Sequence, residues 1–516
     1  MTVLRKSSPE RGGGPAELVE EPITAQSTPP SRLRRATSPF RGGLVAAFAG
    51  MTMVLASPLA AQTFAIVNGT VALGDGSEPI PNGMVVIRDG RIVAAGGMRM
   101  KLPAGTQVID ANGKWVTPGI VAGFSRLGLA EVDLTSHQED GGGRDDTSGA
   151  ADDTGQNGPF NAAIDVVPAL NPLDTTIAVN RADGVTRALV APSVGKNIFA
   201  GQGAIIDTGA DMDPVTVARK FQFVELGETG ADKAGGSRAS AHIMFRNALR
   251  EAAELRRYAP SIAAPRGGTP DERDRPIVRN PNESRLYGAE ARRSDDVLLT
   301  RFDAAALVPV LQGRQYLLVH VERASDILQV LELKREFPAL KVVLVGASEG
   351  WLVADKIARA AIPVIASAVN DLPASFEQLA STQSNVGRMR SAGVNVSIGM
   401  IDDNDTRNLF MERQYAANLV ALQKIPGATG VSWGEALAMI TSRPAQAVGM
   451  GSEIGSLAPG RRADVVIWSG DPLEGASAAE QVFIDGVRQP LQTHQTRLLE
   501  RYRYLPRRDL PEAYRH

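Results

Sequence analysis

The sequence predicts an α/β protein whose centre is a TIM-type (β/α)8 barrel. Short apolar runs alternate with longer helical stretches between Gly119 and Gly449. This alternation indicates parallel strands joined by helical crossovers, and the number of units suits a closed eight-stranded barrel. On both sides of this region the chain carries short β-branched segments separated by turn residues. These segments predict a smaller β structure in addition to the barrel.

The individual elements can be placed on the sequence. The clearest apolar runs are Thr186–Ala191, Tyr316–Val321, Lys341–Val345, Ile362–Ala366 and Val394–Ile398. The clearest helical stretches are Ala239–Tyr258, Ala324–Phe337, Trp351–Ala360 and Arg407–Gln423. Before the barrel, the Asp89-Gly90 pair between two β-branched runs predicts a β-hairpin.

Composition excludes several classes of protein and of site. The 516 residues are 43% hydrophobic with a net charge of −2, so a large core is expected and nucleic acid is not. Cysteine is absent, which excludes disulfides, thiolate zinc sites and cysteine nucleophiles. Histidine is almost as scarce, and the five histidines are His137, His242, His320, His494 and His516.

The first 61 residues predict an export signal. Residues 1–40 are rich in Pro, Ser, Gly and Arg, and an uncharged apolar run over residues 42–56 ends in small residues. This pattern is typical of a secretory signal peptide, with cleavage after Ala61 leaving Gln62 as the first mature residue. The apolar run is shorter than the roughly 20 residues of a spanning helix, although an uncleaved anchoring helix is the alternative. We therefore expect an exported, periplasmic protein without a stable membrane anchor.

Three ordered motifs resemble the amidohydrolase superfamily. Thr117–Gly119 resembles the start of its barrel, Ala436–Met439 with residues 441–449 resembles its last helices, and Gly455–Trp468 resembles the segment that follows the barrel. The resemblance points to the imidazolonepropionase-like or dihydroorotase-like branch. It implies a small β-sandwich domain built from both ends of the mature chain, with the barrel inserted between them.

The resemblance divides the chain into four parts. The predicted parts are an N-terminal extension and signal peptide over 1–61, a composite β-sandwich over 62–116 plus 450–492, the barrel over 117–449, and a tail over 493–516. Asp464 stands between apolar residues at a strand entry, where a carboxylate can accept hydrogen bonds from turn amides. We interpret Asp464 as structural rather than catalytic.

The first barrel strand differs from the pattern of the superfamily. In relatives, a strand of the form TPG-hydrophobic-hydrophobic-D-x-H-x-H delivers two metal-binding histidines, but here Phe124 and Arg126 stand at those positions. Phenylalanine has no ligand atom, and a guanidinium is permanently cationic. Alternatively, Arg126 forms an ion pair with a nearby acid such as Glu131 or Asp133. With so few histidines, the full binuclear ligand set of the superfamily cannot be assembled.

Four other residues are site candidates by the resemblance. His320 matches the histidine that ends the fifth strand, and it is either a metal ligand and general base or a hydrogen-bonded core residue. Glu349 follows the next strand and is either a substitute metal ligand or an acid at a helix N-terminus. Asp402 or Asp403 follows the last strand, where relatives carry the aspartate that takes a proton from the attacking water.

The resemblance implies a hydrolase that acts on carbon–nitrogen bonds other than peptide bonds through metal-activated water. Because catalytic zinc generally has about three protein ligands, the residues present imply one zinc-like divalent metal or none. The alternative is a catalytically inactive relative that binds a small molecule or a partner. A small-molecule substrate or ligand is expected in either case, as is self-association or pairing with an intact homologue. The sequence leaves the choice between an enzyme and an inactive relative open.

Overall fold

The strands form two eight-stranded sheets in the residues that the computed structural model describes, which are 63–97, 102, 105–129, 159–258, 298–368, 370–401 and 407–503. The strands are β1 (Phe64–Val71), β2 (Ile80–Arg88), β3 (Arg91–Gly96), β4 (Gln107–Asp110), β5 (Trp115–Pro118), β6 (Ile120–Ser125), β7 (Val185–Val190), β8 (Phe199–Asp207), β9 (Val215–Glu225), β10 (Tyr316–Val321), β11 (Lys341–Gly346), β12 (Val364–Ala366), β13 (Val396–Ile398), β14 (Val465–Trp468), β15 (Ala479–Ile484) and β16 (Val487–Arg488).

The helices lie mainly between the strands of the second sheet. The described α-helices are α1 (Thr175–Ala182), α2 (Glu228–Lys233), α3 (Arg238–Tyr258), α4 (Arg301–Leu311), α5 (Ala324–Glu336), α6 (Ala354–Ala360), α7 (Asn385–Ser391), α8 (Glu412–Ala421), α9 (Trp433–Met439), α10 (Ser442–Ala447) and α11 (His494–Tyr502). Short 3-10 helices cover Val167–Ala169, Gly350–Val353, Phe376–Gln378, Leu409–Met411 and Leu422–Lys424. Among the described residues, no helix is both long enough and apolar enough to cross a membrane.

The first sheet combines strands from both ends of the described chain. Its order is β16-β15-β14-β5-β1-β2-β3, with β4 paired to β1. β14 runs antiparallel to β5, with Val465 opposite Pro118. The predicted hairpin is confirmed, because Asp89 and Gly90 join β2 to β3 with φ values of +55° and +71°. Positive φ at both turn positions matches the twist of the flanking strands, and this requirement explains the Asp-Gly pair.

The second sheet is the barrel, with the order β13-β12-β11-β10-β9-β8-β7-β6. The backbone amide of Met400, just after β13, donates to the carbonyl of Phe124 in β6 at 3.1 Å and so links the two ends of the sheet. The predicted α/β barrel is therefore confirmed.

One strand departs from the predicted parallel pattern. β8 runs antiparallel to both β7 and β9. Loops rather than helices connect β8 to its neighbours, and an antiparallel pair needs no crossover helix. The expectation of parallel strands throughout is wrong for β8.

Apolar residues pack on both faces of the barrel wall, one layer inside the barrel and one between the strands and the helices. Alternate side chains of each strand face inward, and Phe221, Phe223, Leu318 and Val343 belong to the cluster that fills the barrel. The other residues of these strands pack outward against the helices. On β10, Leu318 and His320 share one face, and His320 stands nearest the carboxyl end of the strand. The filled interior leaves the strand ends as the place for polar chemistry.

A buried arginine joins the barrel to the first sheet. Arg187 of β7 has no exposed side-chain surface, and its Nε donates to Asp464 Oδ2 at 2.9 Å. Its Nη2 donates to Asp485 Oδ2 at 2.8 Å, and its Nη1 to Asp207 Oδ2 at 3.2 Å. The Asp485 backbone amide also donates to Asp464 Oδ1 at 3.0 Å. These contacts confirm the interpretation of Asp464 as structural and show that its main partner is a barrel residue.

Candidate functional site

His320 lies at the carboxyl end of β10, directly beside Glu225 at the carboxyl end of β9. The two residues are register partners in a parallel strand pair, so their side chains point to the same face of the sheet. Carboxyl ends of barrel strands are where barrel proteins hold their ligands. The candidate site is therefore built around this pair.

Two carboxylates hold the imidazole of His320, one at each ring nitrogen. Nδ1 lies 2.6 Å from Glu225 Oε1, and Nε2 lies 2.9 Å from Glu322 Oε1. The His320 side chain is 17% exposed, and those of Glu225 and Glu322 are 9% and 4% exposed, so water screens the three charges weakly. An imidazole can satisfy two carboxylates only when both nitrogens carry a proton.

The charge state of His320 follows from these contacts. Burial by itself lowers the pKa of His320, but Glu225 and Glu322 outweigh burial and raise the pKa well above its ordinary value. Burial likewise raises the pKa of Glu322, but hydrogen bonding to His320 and Ser348 outweighs it and leaves the pKa of Glu322 below its ordinary value. At neutral pH the group is an imidazolium between two carboxylates.

A third carboxylate and an arginine extend this network. Glu377 Oε2 accepts from Arg238 Nη1 at 3.0 Å and from the backbone amide of Glu228 at 2.8 Å. Burial raises the pKa of Glu377, while the positive charges of His320 and Arg238 oppose that change. Arg238 Nη1 also donates to Asp326 at 2.9 Å. Acids and bases from strand ends and from neighbouring helices therefore share one weakly solvated region.

Residues at the end of β11 and just after it contact the Glu322 carboxylate. The backbone amide of Ser348 donates to Glu322 Oε2 at 2.7 Å. Gly346 has a φ of +87°, and a Cβ atom at this position would overlap the Glu322 carboxylate. A larger residue at position 346 would therefore displace one of the two acids that hold His320.

Glu349 acts as an acceptor for backbone amides. Its Oε2 accepts from the amide of Ala324, the first residue of α5, at 3.0 Å. Its Oε1 accepts from the amide of Ala380 at 3.1 Å, and the residue is 8% exposed. Glu349 thus accepts a hydrogen bond from the N-terminus of α5, which precedes it in the chain, and not from the helix that follows it.

Replacing Glu349 with alanine is expected to lower the free energy of unfolding by about 2 kcal/mol, because the amides of Ala324 and Ala380 lose their acceptor. Glu349→Gln keeps one carbonyl acceptor and is expected to lose about half as much. Urea unfolding monitored by circular dichroism measures both variants. Unchanged stability in both, together with a loss of bound metal, would support the ligand role instead.

The chain is similar to known proteins over most of its length. A model described as the amidohydrolase family matches residues 320–493. The chain is 24% identical over 438 residues to the imidazolonepropionase of Acidiphilium cryptum, covering 79% of this chain and 94% of that protein. A solved amidohydrolase structure from Thermotoga maritima superimposes with a TM-score of 0.66 at 21% identity, covering 82% of this chain and 99% of that one. These matches place the similarity of the chain in the amidohydrolase superfamily.

A third relative is longer than this chain. The amidohydrolase tasK of Hapsidospora irregularis is 25% identical over 433 residues, which covers 80% of this chain. The match spans only 40% of the tasK protein. This similarity therefore concerns the amidohydrolase part that the two proteins share, and not the whole of tasK.

On the first strand of the barrel, Phe124 is part of the core. Its side chain is 1% exposed, and its ring lies 5.1 Å from that of Phe223, centroid to centroid. Tilted aromatic pairs at this separation attract each other beyond the area they bury. Phe124 therefore contributes packing where the resemblance places a metal ligand.

Arg126 lies just beyond β6 and close to a second cation. Burial lowers the pKa of Arg407, and the positive charge of Arg126 lowers it further. Arg126 has an interaction partner in the structure. The predicted partners Glu131 and Asp133, and the predicted catalytic residues Asp402 and Asp403, lie outside the described residues.

The described residues do not fit the divalent metal that the superfamily typically binds. Within the described ranges, no group of three His, Asp or Glu side chains is placed to hold a metal ion. A metal ligand needs a free nitrogen lone pair, whereas both nitrogens of His320 contact carboxylates. Both carboxylate oxygens of Glu349 contact amides. Metal binding by His320 and Glu349 together stays a prediction, and it would require both residues to change partners.

Sequence reasoning missed Glu322, although the sequence contained a signal for it. Glu322 follows His320 by two residues at a strand end, so the two side chains share one face. Glu225 also ends an apolar run, but only the barrel topology brings it beside His320. Glu377 and Arg238 come from a 3-10 helix and an α-helix that no local pattern connects.

Proposed function

We propose that this protein uses the amidohydrolase barrel to bind a small molecule and does not hydrolyse it through a metal ion at His320. The contact of both His320 nitrogens with carboxylates supports this proposal. A protonated imidazole can neither ligate a metal nor accept a proton from water, because both actions use a free nitrogen lone pair. His320 then acts as a fixed positive charge that holds two strand ends together.

The proposed ligand site is the polar region at the carboxyl ends of β9, β10 and β11. Its charges come from Glu225, Glu322, Glu377, His320 and Arg238. The preference of barrel proteins for this end supports the location. A region with this many charged groups favours a polar ligand over an apolar one, because it costs free energy to replace the water around charged groups with an apolar group.

The second candidate is a hydrolase of carbon–nitrogen bonds with one zinc-like metal. The match of the family model to residues 320–493 and the similarity to an imidazolonepropionase favour it. Asp402 or Asp403 would then accept the proton of the attacking water, as the resemblance implies. A shared fold supports a shared activity only by analogy, because one barrel supports many functions.

Metal content separates the two candidates. The protein beginning at Gln62 is purified without chelators, incubated with excess zinc, desalted and measured by inductively coupled plasma mass spectrometry. We expect far less than one zinc, manganese or iron per chain. At least one metal per chain that is lost in His320→Gln but retained in His494→Gln would overturn the proposal. His494 is the matched control because it is exposed on α11.

We further propose that the protein is exported and pairs with itself or with an intact homologue. Cleavage after Ala61 would leave every described strand complete, because β1 begins at Phe64. The mass of the protein recovered from the periplasm should correspond to a chain that begins at Gln62. An uncleaved chain in the membrane fraction would contradict export. Co-purification with a homologue that retains the H-x-H pair would identify the second kind of partner.

A further inference from the structure

A pocket of about 450 Å³ opens at the opposite end of the barrel from His320. Its walls include the first residues of β10 and β11, Tyr316 and Lys341, and residues just before β12 and β13, Pro363 and Asn395. The volume lies within the range of roughly 300–1,000 Å³ that is typical of small-molecule sites. Amino ends of barrel strands usually serve stability, so a pocket of this size there calls for an explanation.

The charged residues of this pocket are all basic. Lys334 and Lys341 line it, and its lining includes no Asp or Glu. Lys341 Nζ lies 5.2 Å from the centroid of the Tyr316 ring, and Lys220 Nζ lies 5.4 Å from the same centroid. Two ammonium groups thus converge on one aromatic ring at the pocket wall, where the ring face offers each a weak attraction.

The two ammonium groups repel each other. Burial lowers the pKa of Lys220, and the positive charge of Lys341 lowers it further. Arg219, the neighbour of Lys220 on β9, is paired with Asp165 at 2.6 Å. A bound anion would therefore be stabilised by both lysines and would relieve their repulsion.

Uncharged groups of the pocket are held in place. Gly449 lies against the Tyr316 hydroxyl so closely that a Cβ atom there would overlap it, which limits movement of the phenol. Asn395 Oδ1 accepts from Arg443 Nη1 at 3.3 Å, which leaves the amide nitrogen of Asn395 as the donor toward a ligand. Gln446 of α10 lies in the same wall. The pocket thus combines fixed hydrogen-bonding groups with excess positive charge.

We propose that this pocket binds a small molecule bearing a phosphoryl group, attracted by Lys341 in the pocket lining and by Lys220, which lies beside the pocket at the Tyr316 ring. Lysine binds phosphate as a compact point charge, whereas planar carboxylates are matched better by the forked guanidinium of arginine. A phosphoryl group carries more than one negative charge near neutral pH and can therefore offset two adjacent ammonium groups. The site is separate from the strand ends around His320 and goes beyond the function proposed for them.

The test is isothermal titration calorimetry with pyrophosphate, and with acetate as a carboxylate comparison. We expect pyrophosphate to bind the unmodified protein and acetate to bind far more weakly. Lys220→Met and Lys341→Met are each expected to weaken pyrophosphate binding by about tenfold or more, because each removes one charge-assisted contact. Lys424→Met removes an equal charge from an exposed position in the 3-10 helix after α8, and it should leave binding unchanged.

Two results would overturn this proposal. One is the absence of pyrophosphate binding at millimolar concentration, and the other is equal weakening by Lys341→Met and Lys424→Met. Lys220→Met and Lys341→Met are each expected to keep the fold, because each removes one of two like charges that repel each other. Thermal unfolding of each variant without pyrophosphate checks this point. Neither result depends on whether a metal binds at His320. The phosphoryl-site proposal and the proposed function can therefore be refuted independently.

Discussion

Replacing His320 with glutamine is expected to lower the free energy of unfolding by about 3 kcal/mol near pH 6, because it leaves two buried carboxylates without their shared positive partner. Glutamine keeps much of the volume and some hydrogen bonding, so the loss reports mainly on charge. Urea unfolding measures the effect. The double variant His320→Gln with Glu225→Gln removes one of the two unpaired carboxylates and should recover part of the lost stability.

The loss of stability caused by His320→Gln should become smaller as pH rises into the alkaline range. The pKa of His320 is raised in the folded state, so its contribution is fully present below the ordinary value of 6.5 and is lost as pH rises through the raised pKa. The pKa of Glu322 is lowered, so its contribution is present above the ordinary value of 4.5 and is lost as pH falls through the lowered pKa. The difference in stability between the variant and the unmodified protein should shrink at alkaline pH. A difference that grows with pH would show that His320 is neutral in the folded protein.

Replacing Arg187 with methionine is expected to lower the free energy of unfolding by about 4 kcal/mol, with loss of the folded protein at ordinary growth temperatures as the extreme outcome. The variant leaves Asp464, Asp485 and Asp207 near one another without the cation that all three contact. Methionine preserves the buried apolar length of the side chain, so the loss reports on the charge network. Thermal and urea unfolding at pH 7 measure it.

Asp207→Asn and Asp464→Asn are the matched controls for Arg187→Met. Burial raises the pKa of Asp207 to about 6, despite the opposing charge of Arg187. Its favourable contribution is therefore present below the ordinary value of 3.8 and is lost as pH rises through about 6. At pH 8, Asp207→Asn should cost much less stability than Asp464→Asn, whose carboxylate receives two guanidinium hydrogen bonds. Equal costs would contradict the network as described.

The apolar runs of the sequence predicted most of the barrel because local periodicity reports which side of an element is buried. The run Tyr316–Val321 coincides with β10, and Lys341–Val345 differs from β11 by one residue. The predicted helix Trp351–Ala360 begins instead as the 3-10 turn Gly350–Val353 before α6. Ends of helices depend on a few local hydrogen bonds, which periodicity does not encode.

The direction of β8 shows where local pattern stops being sufficient. Its apolar run is compatible with either a parallel or an antiparallel strand, because both bury alternate side chains. The absence of a helical stretch on either side was the available signal, since only parallel neighbours require a crossover of a dozen or so residues. The connection, and not the strand, decides the direction.

By itself, the sequence predicted the resemblance to the amidohydrolase superfamily, the barrel and the position of His320 at a strand end. These follow from ordered motifs and from burial patterns that neighbouring residues carry. Only the tertiary structure decided what His320 does, because Glu225 lies 95 residues away from it in the chain. It also decided that Phe124 is a core residue, that Asp464 pairs with a barrel arginine, and that two lysines from different strands converge on Tyr316. The physical reason is that charge states and packing depend on distances between residues that only the folded chain brings together.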